Sequence, residues 1–202
     1  MELNFLFWNA GRQDLCNDII DLIQKYNSNF IALAEYTGSP TNLIQKANTR
    51  GVNLFEIPKI ACESITIFTT LMPNQVEHHG DGDRFTIKEI KIPQKPSLLV
   101  GLVHLVSKLH ADSITQDYGA KLLKIDIERS EKSLKHMNTI IVGDFNMEPY
   151  DLGISSKYSL NSINCSKTAL AIKRRTSRGI NKETFDFFYN PCWNLFGDFK
   201  FR

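Results

Sequence analysis

The sequence predicts an α/β fold in which β-sheets form a sandwich flanked by helices. A strand–helix–strand unit at residues 3–36 implies two parallel strands joined by a right-handed crossover. Strand-like runs without long helices between them then fill residues 52–105, which indicates antiparallel hairpins. The chain of 202 residues shows no internal repeat and no clear linker, so we expect a single domain over residues 1–202.

The crossover unit contains three elements. Residues 3–9 (LNFLFWN) predict an aromatic-rich strand that ends in Asn9. Residues 13–27 place apolar side chains three and four positions apart, which indicates an amphipathic helix. Residues 29–36 (NFIALAEY) predict a second buried strand, with Glu35 at its end.

The middle of the chain is rich in strands. After a short helix at 41–49, strands are expected at 52–57, 64–69, 84–92 and 97–105. The run at 84–92 nearly alternates apolar and polar residues, so we expect one of its faces to be exposed. The segment 78–84 (HHGDGDR) predicts a hairpin loop, which we favour over a metal site built from its histidines and aspartates.

A long helix and a buried strand follow. Residues 112–136 predict a polar helix, and residues 138–142 (NTIIV) predict a strand buried on both faces. The next residues are GDFNMEP, in which we expect Gly143 to turn the backbone sharply and Pro149 to end the strand. Beyond them the pattern weakens, although the aromatic-dense residues 183–202 should be packed.

Composition limits the possible classes of protein. Hydrophobic residues make up 42% and charged residues 23%, as in ordinary globular proteins, and a net charge of +2 is too small to name a partner. No apolar run approaches the length of a membrane span, and the N-terminus lacks the features of a signal peptide. Four scattered cysteines without CxxC spacing favour reduced thiols in a cytoplasmic protein.

Four predicted strands end in residues suited to metal or phosphate chemistry. They end in Asn9, Glu35, His104 and Asp144, and on a continuing strand Asn146 would point to the same side as Asp144. Asn9 alone could cap a turn, and His104 alone could be a core histidine. A carboxylate directly after the apolar run FIALA is costly to bury unless it is paired or bound to a metal. The coincidence at four strand ends favours a site over four unrelated residues.

These side chains suit one kind of reaction. Carboxylate and amide oxygens are ligands for Mg²⁺ or Mn²⁺ rather than for zinc. An imidazole can donate a proton to a phosphate oxygen, and an aspartate can orient or deprotonate an attacking water. Together they predict hydrolysis of a phosphate ester.

Four sequence blocks resemble, in order, the signature blocks of the endonuclease/exonuclease/phosphatase superfamily. They are FLFWNAGR, IALAEY, LVGLVHLVSKLH and IIVGDFNMEP, and the last is the most specific. The resemblance covers about residues 3–150 in discrete blocks, and FFYNPCWNLFGD (187–198) is similar to a block in some bacterial members. It implies the deoxyribonuclease-I-like fold, a four-layer αββα sandwich of two mixed sheets flanked by helices. It also implies a phosphodiester hydrolase or phosphatase that uses Mg²⁺ or Mn²⁺.

The resemblance implies a role for each strand-end residue. Glu35 would be the principal metal ligand, with Asn9 beside it as a direct or indirect ligand. Asp144 would position the attacking water, and Asn146 would bind the scissile phosphate or hold Asp144. His104 matches the His-Leu block of the branch that resembles deoxyribonuclease I, sphingomyelinases and inositol phosphatases. The resemblance therefore favours this branch over the apurinic endonucleases.

Five basic residues are candidates for binding substrate: Arg12, Lys108, His110, Arg174 and Arg175. For the first three, ordinary surface positions are an alternative. The last two belong to the segment 166–182, which has six basic residues and no acidic one. Because no aromatic residues are interleaved with them for base stacking, we expect this segment to attract phosphates non-specifically at most.

The sequence departs from the superfamily pattern in its last part. Members normally end with a strand bearing a metal-binding Asp, followed by a Ser-Asp-His motif, whereas here Asp198 is the last Asp and His136 the last His. We therefore expect a sandwich that is C-terminally incomplete. Three explanations stay open: a fragment of a longer product, completion by a second polypeptide, or a divergent member that only binds. Because exposed sheet edges are usually covered, we expect a homo-oligomer or a second chain there.

The sequence thus predicts a divalent-metal-dependent phosphodiester hydrolase, with a nuclease acting on DNA or RNA as the first interpretation. A small-molecule or lipid phosphodiesterase or phosphatase is the second. A catalytically inactive binding module that needs a second chain is the third.

Overall fold

The computed structural model describes residues 2–171, 174–175 and 184–192. The chain divides into two compact units. The first comprises Met1–Leu105 and Asp126–Phe145, and the second comprises Val106–Ile125 and Asn146–Arg202. The expectation of a single domain over residues 1–202 stays a prediction.

The first sheet lies in the first unit and begins with the expected crossover. Its elements, in chain order, are β1 (Phe5–Asn9), α1 (Cys16–Tyr26), β2 (Phe30–Ala34), α2 (Pro40–Thr49), β3 (Phe55–Ile57) and β4 (Ile65–Thr69). The strand order is β1-β2-β4-β3. Strands β1 and β2 are parallel, as predicted, and β4 runs antiparallel to both β2 and β3.

The second sheet also lies in the first unit. A short 3₁₀ helix (Pro73–Gln75) leads into β5 (Val76–Gly82), β6 (Phe85–Ile90), β7 (Leu98–His104), α3 (Ser113–Leu134) and β8 (Thr139–Asp144). Hairpins pair β5, β6 and β7 antiparallel, and β8 is added parallel to β7. The predicted strand 138–142 is therefore β8, at the end of a second crossover. The expectation that it is buried on both faces is wrong: all its residues are half-buried, because β8 is an edge strand of its sheet.

Apolar side chains hold the layers of the first unit together. Between the two sheets, Phe30 and Ile65 pack in one cluster with Ile90, Val100 and Leu102. A second cluster joins the outer face of the first sheet to the buried faces of α1 and α2; it includes Ile19, Ile20, Leu33, Leu43 and Phe68. On the second sheet, Gly101 faces Ile127 of α3: a Cβ at Gly101 would lie 3.5 Å from its Cδ1. The predicted α/β sandwich of two mixed sheets flanked by helices is confirmed.

The expectation that one face of residues 84–92 is exposed is wrong. All six residues of β6 are buried, and Lys88 is only 2% exposed. Its polar side chains are accommodated by partners on β5: Lys88 Nζ lies 3.0 Å from Nδ1 of His78, and Glu89 Oε2 lies 2.9 Å from Nε2 of His79. The polar residues of the alternating pattern are therefore paired inside the sandwich and do not form a solvent-facing surface.

Two expectations about turns are also corrected. Residues 78–82 belong to β5, and only Asp83 and Arg84 form the hairpin turn. Gly143 does not turn the chain but lies within β8. Its φ is 154°, and a Cβ there would lie 2.0 Å from the carbonyl oxygen of Val103. The residue is glycine because β7 and β8 approach each other closely at this point.

The second unit holds the first half of α3 and several short elements. These are α4 (Leu152–Ser155), β9 (Ser162–Ile163), α5 (Ser166–Ala171), β10 (Arg174–Arg175), β11 (Thr184–Phe185) and β12 (Phe188–Tyr189). Strands β9 and β12 pair in parallel, and β10 pairs antiparallel with β11. Lys173, Arg178, Lys182 and residues 193–202 of the predicted basic and aromatic segments lie outside the described residues. Among the helices described, none has the length and apolar character needed to cross a membrane.

Candidate active site

The carboxyl ends of four strands meet at one edge of the first unit. In the register of the parallel pairs, Asn9 lies opposite Ala34, and His104 lies opposite Asp144. The two sheets are joined at this edge, because Nδ2 of Asn9 donates a hydrogen bond of 3.1 Å to Oδ2 of Asp144. Glu35 directly follows β2, so its side chain also starts from this edge. The structure thus brings together four of the predicted strand-end residues.

Glu35 and His104 form the second contact of the site. Nε2 of the imidazole lies 3.3 Å from Oε1 of the carboxylate. His104 is buried, and its Nδ1 has no hydrogen-bond partner among the described residues. The guanidinium of Arg12 lies 3.8 Å from Oε2 of Glu35, but the side chain is 84% exposed, so this ion pair is weak. Glu35 is consequently held on one side and open to solvent on the other.

The backbone of the site adopts unusual conformations. Glu35 has a φ of 50° and Arg12 a φ of 62°, both in the left-handed region that side chains with a Cβ rarely occupy. Hydrogen bonds hold this conformation: the Arg12 N–H donates to the carbonyl of Glu35 at 2.9 Å, and Gly11 N–H donates to Oδ1 of Asn9 at 3.1 Å. Such backbone geometry concentrates at functional sites, where surrounding contacts impose it.

A cavity of about 210 Å³ opens beside these residues. Its lining includes three predicted residues and five others: Arg12, Glu35 and His104, with Tyr36, Glu63, Ser64, Thr66 and Arg84. Sequence reasoning missed Glu63 and Ser64 because they lie in a loop without regular structure. A signal existed, since the start of a strand antiparallel to β2 must lie beside the end of β2, and Ile65 pairs with Ala34. Arg84 lies where the predicted loop 78–84 meets the predicted strand 84–92, and it carries one of the two guanidinium groups of the cavity.

Tyr36 forms the wall of the cavity next to Glu35. Burial and the nearby Asp14 carboxylate raise the pKa of its phenol to about 12. Its hydroxyl is buried without a hydrogen-bond partner among the described residues. Gly38 leaves room for it, because a Cβ there would lie within 2.5 Å of the hydroxyl oxygen. The ring packs edge-on against Phe68, with 6.5 Å between centroids, so this wall is anchored in the core.

The donor atoms of the site fit a hard divalent cation. Within the described part of the chain, no three His, Cys, Asp or Glu side chains are grouped as a preformed metal cage. Mg²⁺ needs no such cage, because it takes one or two protein carboxylates and keeps water and phosphate oxygens in its other positions. Glu35 supplies a carboxylate that is 34% exposed, and Oδ1 of Asn9 keeps a lone pair beyond the one used by Gly11. These two residues would hold the metal.

The remaining predicted residues lie in the second unit. The backbone carbonyl of Asn146 accepts a hydrogen bond of 2.8 Å from Nε2 of Gln116. Lys108 forms an ion pair of 2.8 Å with Asp151, and this bond raises the pKa of Lys108 and lowers that of Asp151. His110 is exposed, and Arg174 and Arg175 form β10. The functional roles of these residues stay predictions.

Comparison with known proteins identifies the fold. No protein-family model and no curated protein matches the sequence. Among solved structures, TDP2 from Caenorhabditis elegans superimposes with a TM-score of 0.51, covering 92% of this chain and 62% of that one at 13% identity. The chain has the deoxyribonuclease-I-like fold. It is the fold of the endonuclease/exonuclease/phosphatase superfamily, as the sequence blocks predicted.

Two further structures share the deoxyribonuclease-I-like fold with this chain. The human Nocturnin catalytic domain with bound sulfate gives a TM-score of 0.50 at 14% identity, covering 84% of this chain and 74% of that one. ANGEL2, in complex with adenosine-2′,3′-vanadate, gives 0.50 at 12% identity, covering 75% and 55%. The chain thus spans less than two thirds of the TDP2 and ANGEL2 chains.

Proposed function

We propose that the chain is a divalent-metal-dependent phosphodiester hydrolase and that its substrate is a nucleic acid, DNA or RNA. One observation carries the proposal: at one edge of the sandwich, Asn9 binds Asp144 while His104 contacts Glu35. This arrangement combines a site for a hard cation, a carboxylate with a fixed orientation and an imidazole, beside a cavity open to solvent. These are the groups that hydrolysis of a phosphate ester requires.

Each side chain has a distinct task in this proposal. Glu35 and Asn9 would hold Mg²⁺ or Mn²⁺, which when bound would neutralise charge on the phosphate. Asp144, whose direction is fixed by Asn9, orients and deprotonates the attacking water. His104 donates to a phosphate oxygen, and the guanidinium groups of Arg12 and Arg84 attract the substrate phosphate to the cavity.

The size of the cavity supports a polymer over a small molecule. Sites that engulf small molecules typically measure about 300–1,000 Å³. A cavity of about 210 Å³ suits a phosphate group and its immediate neighbours, with the rest of the substrate lying across the surface. ANGEL2, described as a 2′,3′-cyclic phosphatase, was crystallised with a nucleotide analogue, which supports nucleotide chemistry as the first substrate class to test.

A metal titration tests the proposal. Mg²⁺ and Mn²⁺ are added to the purified chain with single- and double-stranded DNA, RNA and bis(p-nitrophenyl) phosphate. Hydrolysis should depend on the metal and fall sharply in Asp144→Asn, while the exposed acidic control Glu56→Gln should match the parent. Hydrolysis that persists equally in Asp144→Asn, or that never appears with either metal on any substrate, would count against the assignment.

Two wider proposals accompany this one. Cys16, Cys62, Cys165 and Cys192 are all free thiols, which suits a reducing compartment, and we propose the cytosol. We also propose that a second copy or another chain covers an edge of the sandwich. Sedimentation of the purified chain tests the second point: a monomer at every concentration excludes self-association.

A further inference from the structure

A loop without regular structure supplies two side chains of the cavity. The β3–β4 loop (residues 58–64) contains no helix or strand, yet it presents Glu63 and Ser64 to the cavity. Inside the loop, Nζ of Lys59 donates to the carbonyl of Glu63 at 3.0 Å, but the Glu63 side chain is largely exposed. Besides these contacts within the loop, hydrogen bonds made from outside it hold the loop in place.

Asp81 makes those bonds. It lies in β5, which belongs to the opposite sheet, and its side chain is only 5% exposed. Oδ2 accepts hydrogen bonds from the backbone N–H groups of Ala61, at 2.8 Å, and Cys62, at 3.4 Å. These are the two residues immediately before Glu63. One buried carboxylate thus ties the loop of the first sheet to the edge of the second.

Two polar side chains of the same hairpin lie near the Asp81 carboxylate, whose Oδ1 has no hydrogen-bond partner among the described residues. Lys88 in β6 is buried, and its Nζ donates to Nδ1 of His78 at 3.0 Å. That Nδ1 in turn lies 3.7 Å from Oδ1 of Asp81. Burial lowers the pKa of Lys88, and the Asp81 carboxylate opposes this shift. Burial and the Lys88 ammonium both lower the pKa of His78, which favours a neutral imidazole beside Lys88.

A buried carboxylate and ammonium contribute little net stability compared with apolar residues of similar size. Their retention in the interior of the sandwich therefore suggests another task. The hydrogen bonds from Asp81 to the β3–β4 loop provide one, because a site needs its lining residues held within a fraction of an ångström.

We propose that Asp81 is a positioning residue for the candidate active site. Its carboxylate fixes the β3–β4 loop, and the loop thereby presents Glu63 and Ser64 to the cavity. The inference rests on the proposed hydrolase function for its consequence in catalysis. The hydrogen bonds by which Asp81 holds the loop do not depend on that function.

Two double variants separate the hydrogen bonds from the charges. Replacing only Asp81 by alanine would leave Lys88 buried without its counter-charge, which endangers folding. Asp81→Asn with Lys88→Met removes both charges but keeps an oxygen acceptor for the loop. Asp81→Ala with Lys88→Met removes both charges and the acceptor. The two double variants therefore differ only in the group that binds the loop, and Asp83→Asn, an exposed neighbour, is the control.

Three quantities are measured in each variant: amide hydrogen exchange at Ala61 and Cys62, the melting temperature, and kcat and KM for bis(p-nitrophenyl) phosphate with Mn²⁺. In the alanine double variant, the two amides should exchange at least about tenfold faster than in the asparagine double variant, as expected for a lost hydrogen bond. The melting temperatures of the two should differ by only about 2–4 °C. The value of kcat should fall about tenfold in the alanine variant and recover in the asparagine variant.

The outcomes separate this proposal from the proposed function. Equal exchange at Ala61 and Cys62 in the two double variants overturns the positioning role. If the parent is active and the alanine double variant exchanges faster than the asparagine double variant but has the same kcat, the importance of Asp81 for catalysis is overturned. If the parent hydrolyses nothing, the proposed function fails, while the exchange rates still decide whether Asp81 holds the loop.

Discussion

The side-chain amide of Asn9 donates a hydrogen bond to the carboxylate of Asp144, although the two residues are 135 positions apart in the sequence. Asn9 ends a strand of the first sheet, and Asp144 ends a strand of the second. The bond fixes the direction of the carboxylate at the edge where the cavity opens. A group that orients a water molecule needs such a fixed direction.

Asn9→Asp should slow hydrolysis and change its pH dependence. The new carboxylate would face Asp144 across the present distance of 3.1 Å, and two like charges so close raise the pKa of one of them. The group that must be ionised then loses its proton at a higher pH, so the acid limb of the rate profile should move upward. At neutral pH we expect a loss of about 100-fold. Asn53→Asp, at an exposed position, is the control, and an unchanged acid limb in Asn9→Asp would refute the predicted coupling.

Glu35→Gln should weaken metal binding with little effect on stability. The substitution replaces a charged oxygen ligand with a neutral one, and we expect the affinity for Mn²⁺ to fall by at least about tenfold. The side chain is partly exposed, so the fold should tolerate the change. Calorimetric titration with Mn²⁺ measures the effect, with Glu56→Gln as the exposed control. Equal affinities in Glu35→Gln and the parent would remove Glu35 from the metal site.

Tyr36 should make the protein less stable at alkaline pH. Its pKa is about 12 in the folded state, against about 10 in an unfolded chain. Between these values the unfolded chain has lost the phenol proton while the folded chain keeps it, so the free energy of unfolding falls as pH rises. This contribution is fully present below the unfolded pKa and is lost as pH rises through the folded one. Tyr36→Phe should therefore lose stability less steeply across that window.

Urea unfolding at a series of pH values measures the slope for the parent, Tyr36→Phe and Tyr118→Phe. The last carries an exposed phenol and serves as the control, expected to follow the parent. A parent slope reproduced by Tyr36→Phe would show that this phenol does not contribute to the pH dependence of stability.

Gly143→Ala should destabilise the protein and disturb Asp144. The added Cβ would lie 2.0 Å from the carbonyl oxygen of Val103, so the backbone of β7 or β8 must move. We expect a loss of about 2–4 kcal/mol in the free energy of unfolding, measured in urea. Gly101→Ala is the matched control, since a Cβ there would meet its nearest neighbour at 3.5 Å. Equal effects of the two substitutions would contradict the close approach of β7 and β8.

The framework of the site could be predicted because it follows from strand ends. The apolar run before Glu35 and the one before Asp144 both predict buried strands, and crossover units make such strands parallel to a neighbour. Parallel neighbours end at the same edge of a sheet. This reasoning places Asn9 with Glu35 and His104 with Asp144, as the structure does. That the two edges also meet depends on how the sheets pack, which periodicity does not encode.

Two kinds of feature could not be predicted. Alternation on β6 indicates polar positions but not whether water or another side chain satisfies them, and here His78 and His79 do so for Lys88 and Glu89. Loop residues carry no periodicity at all, so the contribution of Glu63 to the cavity depends on a tertiary contact. The role of Gly143 could not be predicted either, because glycine is favoured both in turns and at strand positions where two backbones approach closely.

The bond between Asn9 and Asp144 also has a consequence for the newly made protein. Synthesis adds Asn9 well before its partner, and the Asp144 carboxylate follows only after the preceding strands of the two four-stranded sheets have been made. At about 5–20 residues per second, that interval lasts for several seconds or more. The candidate active site is therefore assembled only after β8, the last strand of the second four-stranded sheet, has been synthesised.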